Sequence, residues 1–338
     1  MARVLFIQTA FLGDVILATG LVERWKQEFP DDEVDFLLRG GNEGALEGNP
    51  HLRKVLVWNK RRGKFRGLIR IIGEVRRQRY DQVFTLQRFA STGWIAVLSG
   101  ARNIVGFRKN PLSRFFSESA EHVIGGECGL HEVERNHRLI QSQVGDQYGL
   151  PKLYPPDPEQ VIAGLGLIAP YVTVAPASVW FTKQLPAAQW VKLLARLPNG
   201  LTIVILGSAS DRILGERIRE ELSQLRGGQP FHNLCGQLNI GASAAVMQRA
   251  VMNYANDSAP IHMASAVNAP VCAVFCSTVP SFGFGPLSER SFVVQTEEPL
   301  ICRPCGLHGR KRCPEGHFRC ATSITTEALL DPMSMVWR

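Results

Sequence analysis

The stretch from Val251 to Thr278 constrains the fold of this chain more than any other. An apolar run, Val251 to Ala255, leads into Asn256, Asp257, Ser258, Ala259 and Pro260, and a second run, Val271 to Cys276, follows one short helix later. The helix between them has legible ends: Asp257 or Ser258 suits the N-cap, Pro260 the first turn, and Asn268 with Pro270 the stop. Strand, capped helix and strand form a parallel crossover, which places ligands at the carboxyl ends of the strands. There the N–H groups of the new helix favour an anion, phosphate first. A capped helix in any α/β domain has the same ends, so other segments must decide.

The N-terminal half repeats the alternation. Arg3 to Gln8 reads as a strand, Thr9 to Asp14 as a turn, and Val15 to Gln27 as a helix with apolar residues at helical spacing. Val34 to Leu38, Val55 to Trp58, Tyr80 to Leu86 and Asn103 to Phe107 continue the strands, with Gly40 to Glu47 a loop or short helix. Without G-x-G-x-x-G or a downstream ribose-binding acid, the first turn is not a dinucleotide fingerprint. Asp14 stands at a strand-to-helix junction, where an aspartate serves either as an N-cap or as a general base facing the crevice. A proline-rich stretch from Leu150 to Pro158, with Gly164 and Gly166 beyond, reads as a linker. A second series then runs through Tyr171 to Ala175, Ile203 to Leu206, Val251 to Tyr254, Val271 to Phe275 and Phe292 to Gln295, with helices at Ala187 to Leu197, Arg212 to Leu225 and Ala242 to Ala250. At 338 residues and 45% apolar content, two doubly wound Rossmann-like domains facing across a cleft are expected. Their spans are 1–155 and 165–325, with a C-terminal tail at 326–338.

Val4 to Ile7 is too short for a signal peptide, and no apolar run approaches the ~20 residues of a membrane span. A cytoplasmic protein is expected. The net charge of +8 is concentrated between Lys60 and Arg79, where nine Lys or Arg face one acid, Glu74. Leu68, Ile71, Ile72 and Val75 run through that segment as an apolar stripe. A basic amphipathic helix of this kind suits an anionic membrane surface, with Arg61, Arg62, Lys64 and Arg66 as the docking residues. Nucleic acid is not expected, because no recognised nucleic-acid-binding motif accompanies the charge.

The second domain begins with a loop, Pro176 to Pro186, in which the Ser178 and Thr182 hydroxyls and the Lys183 ammonium can grip a diphosphate. Leu206-Gly207-Ser208 with Asp211, and Leu234-Cys235-Gly236-Gln237, repeat the strand-end pattern, glycine permitting close backbone approach. Thr9 to Asp14, Pro176 to Pro186, Cys235-Gly236, Asn256 to His262, and Thr278-Val279-Pro280 before Phe284-Gly285-Pro286 together resemble the successive signatures of glycosyltransferase family 9, which contains the ADP-heptose:lipopolysaccharide heptosyltransferases. The resemblance covers nearly the whole chain. It implies the two-domain GT-B fold, the acceptor on the first domain and the sugar nucleotide on the second. It also implies inverting, metal-independent transfer of heptose from ADP-heptose to the inner core of lipopolysaccharide. By the same resemblance Asp14 matches the general base, and Ser178, Thr182, Lys183 and Asp257 match positions around the donor's diphosphate and sugar. Ala177 and Ala259 stand where many members carry Gly, and Leu185 where many carry Trp, so the donor loops are altered.

Elementary chemistry asks for the same parts. The acceptor hydroxyl must lose a proton, for which Asp14 is the candidate. The leaving diphosphate gains negative charge, which Lys183, the two hydroxyls, Gly207, Gly236 and the helix after Ser258 can hold. Asp257 is repelled by phosphates, so sugar hydroxyls or a cap are its expected partners. Ser258 and His262 lie four apart but lack a G-x-S-x-G elbow, which leaves His262 as a core or donor-facing residue. The partners expected are a nucleotide-sugar donor and a lipid-linked saccharide acceptor at the inner face of the inner membrane. A transferase for another nucleotide sugar, or a non-catalytic nucleotide-sugar-binding protein, shares the scaffold. Cys302-x-x-Cys305 followed by Cys313 and Cys320 has the spacing of a small zinc site, and a structural zinc, two disulfides and four free thiols all remain open.

Overall fold

Short β-rich apolar runs alternate with amphipathic helices along the whole chain, and in the computed structural model they assemble into two six-stranded sheets, every strand pairing parallel. The structure describes residues 1–59, 64–125 and 129–337. These divide into two units, Met1–Tyr154 and Pro155–Arg338.

The first unit contains β1 (Arg3–Ile7), α1 (Leu12–Glu28), β2 (Glu33–Arg39), β3 (Leu52–Trp58), α2 (Lys64–Gln78), β4 (Gln82–Thr85), α3 (Ala90–Val97), β5 (Asn103–Phe107), β6 (Glu118–Ala120), α4 (Glu132–His137) and α5 (Gln141–Val144). Its strand order is β3-β2-β1-β4-β5-β6. Val4 to Ile7 are fully buried, as a central strand covered on both faces requires. β6 escaped the sequence reading because it is a three-residue polar edge strand. The stripe predicted on α2 packs inward through Ile71 and Val75.

The second unit contains α6 (Pro158–Leu165), β7 (Tyr171–Ala175), α7 (Ala187–Arg196), β8 (Thr202–Ile205), α8 (Arg212–Leu225), β9 (Phe231–Asn233), α9 (Ile240–Arg249), β10 (Met252–Asn256), α10 (Ala259–Ala266), β11 (Val271–Phe275), β12 (Ser291–Gln295), α11 (Arg319–Thr322) and α12 (Thr326–Val336). Its order, β12-β11-β10-β7-β8-β9, repeats the first winding. Trp190, Val191, Leu193 and Leu194 bury one face of α7 against this sheet, each such side chain contributing about 1.5–3 kcal/mol.

Two segments differ from expectation. The proline-rich linker is partly α6, because the Asp157 carboxylate caps the Glu159 N–H at 2.8 Å and Gly166 closes the helix in the left-handed region. The residues set apart as a C-terminal tail form α12, which seats Leu329 and Met333 in the core of the second unit.

Candidate active site

Each sheet reverses its winding between its third and fourth strands, β1 and β4 in one, β10 and β7 in the other. Ligands of doubly wound sheets gather outside the carboxyl ends of the strands at such a reversal.

In the first unit, Gln8 follows β1 and its side-chain oxygen accepts the Ala10 N–H at 3.2 Å and the Gln87 side-chain amide from the end of β4. Asp14 is the third residue of α1 rather than its N-cap, and its carboxylate accepts the Phe11 N–H at 3.2 Å. Burial pushes the Asp14 carboxyl up to about 6, and the nearby Glu132 carboxylate adds to the rise; the N–H groups of Phe11 and Asp14, and then His122, pull it back. Burial also opposes ionisation of Glu132, yet His122 and Arg135 outweigh it and hold Glu132 below the usual carboxylate range. The contacts behind that balance are short, His122 Nε2 lying 3.0 Å from Glu132 Oε2 and Arg135 Nε 2.7 Å from it. A fixed anion therefore faces Asp14 and helps it keep a proton until near-neutral pH, which is where a general base is useful. This surround was absent from the sequence reading. His122 and Glu132 come from separate segments, with no motif to join them.

In the second unit the candidates come together at the ends of β7, β10 and β11. Lys183 Nζ lies 2.7 Å from Asp257 Oδ2, both side chains largely buried. The same carboxylate oxygen accepts the Thr278 hydroxyl at 2.5 Å. Asp257 is thus a partner of Lys183 and not a helix cap; the N-cap position of α10 falls to Ser258, whose hydroxyl donates back to the Asn256 carbonyl at 3.2 Å. Holding the ammonium by one carboxylate leaves Lys183 further donors for a ligand. Thr182 is buried, and its hydroxyl oxygen accepts the Arg310 N–H at 2.8 Å and the Ser277 hydroxyl at 2.9 Å. Its oxygen is occupied, so Thr182 anchors the turn and has only its own O–H left to offer. Ser178 is half-buried, its carbonyl held by the Gln184 side chain at 2.7 Å. His262 is buried on α10.

Asn256, unassigned from sequence, is fully buried at the end of β10 and clamps both ends of the loop: its oxygen accepts the Leu185 N–H at 2.9 Å, and its amide donates to the Pro176 carbonyl at 2.7 Å. The signal was an asparagine at the carboxyl end of a fully buried strand. Gly207 and Gly236 serve each other, the Gly236 N–H donating to the Gly207 carbonyl at 2.9 Å. Gly236 has φ +74 and a Cβ there would meet the Ala209 backbone at 2.6 Å, which explains the residue without a ligand.

The cysteine segment holds free thiols at Cys302, Cys305, Cys313 and Cys320, so neither disulfide forms. Cys302 Sγ lies 3.8 Å from His317 Nε2, but among the described residues no group of three or more side chains is placed to hold a metal. Of the docking residues, Arg61 and Arg62 lie outside the described residues, Lys64 opens α2, and Arg66 is exposed on it. Among the described residues no helix is long and apolar enough to cross a membrane.

The chain is similar to known proteins over most of its length. Lipopolysaccharide heptosyltransferase 1 of Pseudomonas aeruginosa is 26% identical over 328 residues, covering 90% of this chain and 86% of that protein. Lipooligosaccharide heptosyltransferase 2 of Haemophilus influenzae is 23% identical, covering 98% of each. The crystal structure of a family 9 glycosyl transferase from Veillonella parvula superposes with a TM-score of 0.84 at 19% identity, over 99% of this chain and 97% of that one. E. coli ADP-heptose lps heptosyltransferase II gives 0.79 at 20%, over 99% and 98%. The shared fold is the two-domain GT-B arrangement of Rossmann-like units. Residues 68–309 match the family model described as Glycosyltransferase family 9 (heptosyltransferase), and with more than half the chain inside that match, the protein belongs to this family and is a glycosyltransferase.

Proposed function

We propose that this enzyme transfers a heptose from ADP-heptose to the inner core of lipopolysaccharide, with inversion at the anomeric carbon. Relatives spanning most of the chain are named lipopolysaccharide or lipooligosaccharide heptosyltransferases, which supports heptosyl transfer. The observation that carries the reading furthest within this chain is the buried Lys183–Asp257 pair at the end of β10, a cation held ready where a helix N-terminus also points. In the reaction the acceptor oxygen bonds to the anomeric carbon as that carbon's bond to the diphosphate oxygen breaks. The acceptor proton passes to the Asp14 carboxylate, and ADP departs with an added negative charge. Lys183 and the N–H groups of α10 oppose that charge as it grows, and such donors count most where water is excluded. Asp14 suits the opposite task because burial and Glu132 raise its proton affinity without neutralising it at pH 7.

The acceptor is a glycolipid, and we assign α2 to the membrane surface that bears it. Arg66 and Arg70 are exposed beside Phe65 and Ile69, which are 79% and 71% exposed. Cations interleaved with apolar side chains fit an anionic interface. The enzyme then works peripherally at the cytoplasmic face of the membrane.

Titration of the purified protein with ADP, UDP and GDP tests the donor, and transfer from ADP-heptose to heptose-less lipopolysaccharide tests the reaction. ADP should bind best, and Lys183→Ala should weaken it and lower kcat/KM by about 10²-fold, the scale of one preorganised donor. Preference for UDP or GDP sinks the donor assignment; undiminished ADP affinity in Lys183→Ala sinks the diphosphate assignment.

A further inference from the structure

We propose that Arg310 is a second cation of the diphosphate site, carried there by a strap that runs from Arg303 to Arg310. The inference rests on the reading of the Lys183 turn as the diphosphate holder. It begins with a charge count: Lys183 is already matched by Asp257 at 2.7 Å, so the pair presents little net charge to a ligand that becomes more negative as it leaves.

The strap is tied to the donor side of the sheet at successive points. The Arg303 guanidinium donates to the Thr278 carbonyl at 2.7 Å and to Gln295 Oε1 at 2.8 Å. The Cys305 N–H donates to the Ser277 carbonyl at 2.8 Å. Arg310 and Thr182 then exchange two bonds, the Arg310 N–H donating to Thr182 Oγ1 at 2.8 Å and the Thr182 N–H to the Arg310 carbonyl at 3.1 Å. Beyond the strap, Phe318 stacks on Phe181 with ring centroids 5.1 Å apart. The approach is close enough to require glycine at 309: φ is +78, and a Cβ would lie 3.0 Å from both Lys183 Cγ and Thr182 Oγ1. The strap backbone at Gly309, one residue before Arg310, therefore passes next to the stem of Lys183.

Arg303 spends its guanidinium on carbonyls and an amide, which makes it a structural tie. Arg310 differs. It is exposed, and no ion pair occupies its guanidinium among the described residues. A planar fork of donors on a fixed backbone is suited to phosphate oxygens, where it adds charge and direction together.

The probe is ADP, titrated by calorimetry into the full chain at low and moderate KCl. Arg310→Gln should weaken ADP about tenfold, the scale of a charge-assisted hydrogen bond, and should flatten the salt dependence. Arg310→Lys should recover part of the loss, and Arg312→Gln, which lacks the tie to Thr182, should change affinity less than twofold. Wild-type affinity in Arg310→Gln, with Lys183→Ala still impaired, overturns the inference and leaves the diphosphate reading standing. A loss equal in Arg310→Gln and Arg310→Lys, with an unchanged salt slope, also overturns it, because the strap and not the charge would then be responsible. If neither Lys183→Ala nor Arg310→Gln affects ADP, the reading of the site itself fails.

Discussion

After β1 the chain reaches α1 through a short turn, Gln8 to Phe11, whereas after β7 it takes Pro176 to Pro186 before α7 begins. Both connections leave the same place in the same winding, yet they are stabilised by opposite means. The short turn brings a carboxylate into the first turn of a helix and leaves it facing another anion, Glu132. The long loop is fastened by Asn256, Ser277 and the strap at Arg310, and it presents a cation with its counter-ion already in place. The comparison teaches that topology fixes where a ligand is met, while the length of one connection decides which sign of charge is offered. One unit is suited to remove a proton and the other to receive an anion.

The strongest way to break this division of labour is at Asp14. On the proposed mechanism Asp14→Asn removes the general base and leaves the second unit unchanged, so kcat should fall by about 10²–10⁴-fold while ADP affinity stays at the wild-type value. In the wild type the raised pKa places the working, deprotonated form above about pH 6, so kcat/KM should decline as pH falls through that value. Its sign is fixed by the role: a base loses activity on protonation. Steady-state rates from pH 5 to 8 with a parallel ADP titration check both points. Wild-type turnover in Asp14→Asn, or an ADP affinity that falls with it, would dissolve the contrast between the units.

Most of the strands and long helices were legible because apolar runs and helical spacing leave a direct trace, and strand ends that carry Asp14, Lys183 and Asp257 could be placed by counting. What the sequence could not disclose is which side chains share a partner. Asp257 satisfies every rule for an N-cap, but a lysine held in the neighbouring loop competes for the carboxylate and wins. Thr182 reads as a ligand hydroxyl until the strap, 128 residues on, takes its oxygen. The proton affinity of Asp14 depends on Glu132, itself set by His122 and Arg135, a chain of contacts with no periodicity to detect. The cysteine spacing is that of a small zinc site, while among the described residues no group of three or more side chains is placed to hold a metal.

A smaller effect is expected at Asn256, which sharpens the comparison because in the first unit the corresponding tie from the end of β4, Gln87 to Gln8, holds only a short turn. Asn256→Ala leaves the Leu185 N–H and the Pro176 carbonyl without their partner in a buried place. Orphaned groups of this kind cost about 1–3 kcal/mol, and for a unit of this size each kcal/mol lowers Tm by about 2–4 °C. ADP affinity should fall several-fold with the melting temperature, while Asp14 keeps its pH profile among the molecules that remain folded. A drop in Tm without any change in ADP affinity would show that the clamp serves the core and not the loop.

The effect on transfer that depends most on conditions concerns α2 in the first unit. Its inner face is committed to the sheet through Ile71 and Val75, so the exposed Phe65, Arg66, Ile69 and Arg70 are free of any packing duty there. Each arginine near an anionic surface contributes about 1 kcal/mol, and the attraction decays over about 8 Å at physiological salt. Replacing Arg66 and Arg70 together by Glu reverses two such contributions, and Tm should stay within about 1 °C because neither residue is buried. Binding to vesicles containing anionic phospholipid should weaken by at least tenfold and lose most of its salt dependence. Transfer to membrane-embedded acceptor should fall several-fold, and transfer to a short soluble acceptor analogue should not. Equal losses on the two acceptors would place the arginines on the saccharide and remove the membrane from their role, and unchanged vesicle binding would leave α2 as an ordinary solvated face.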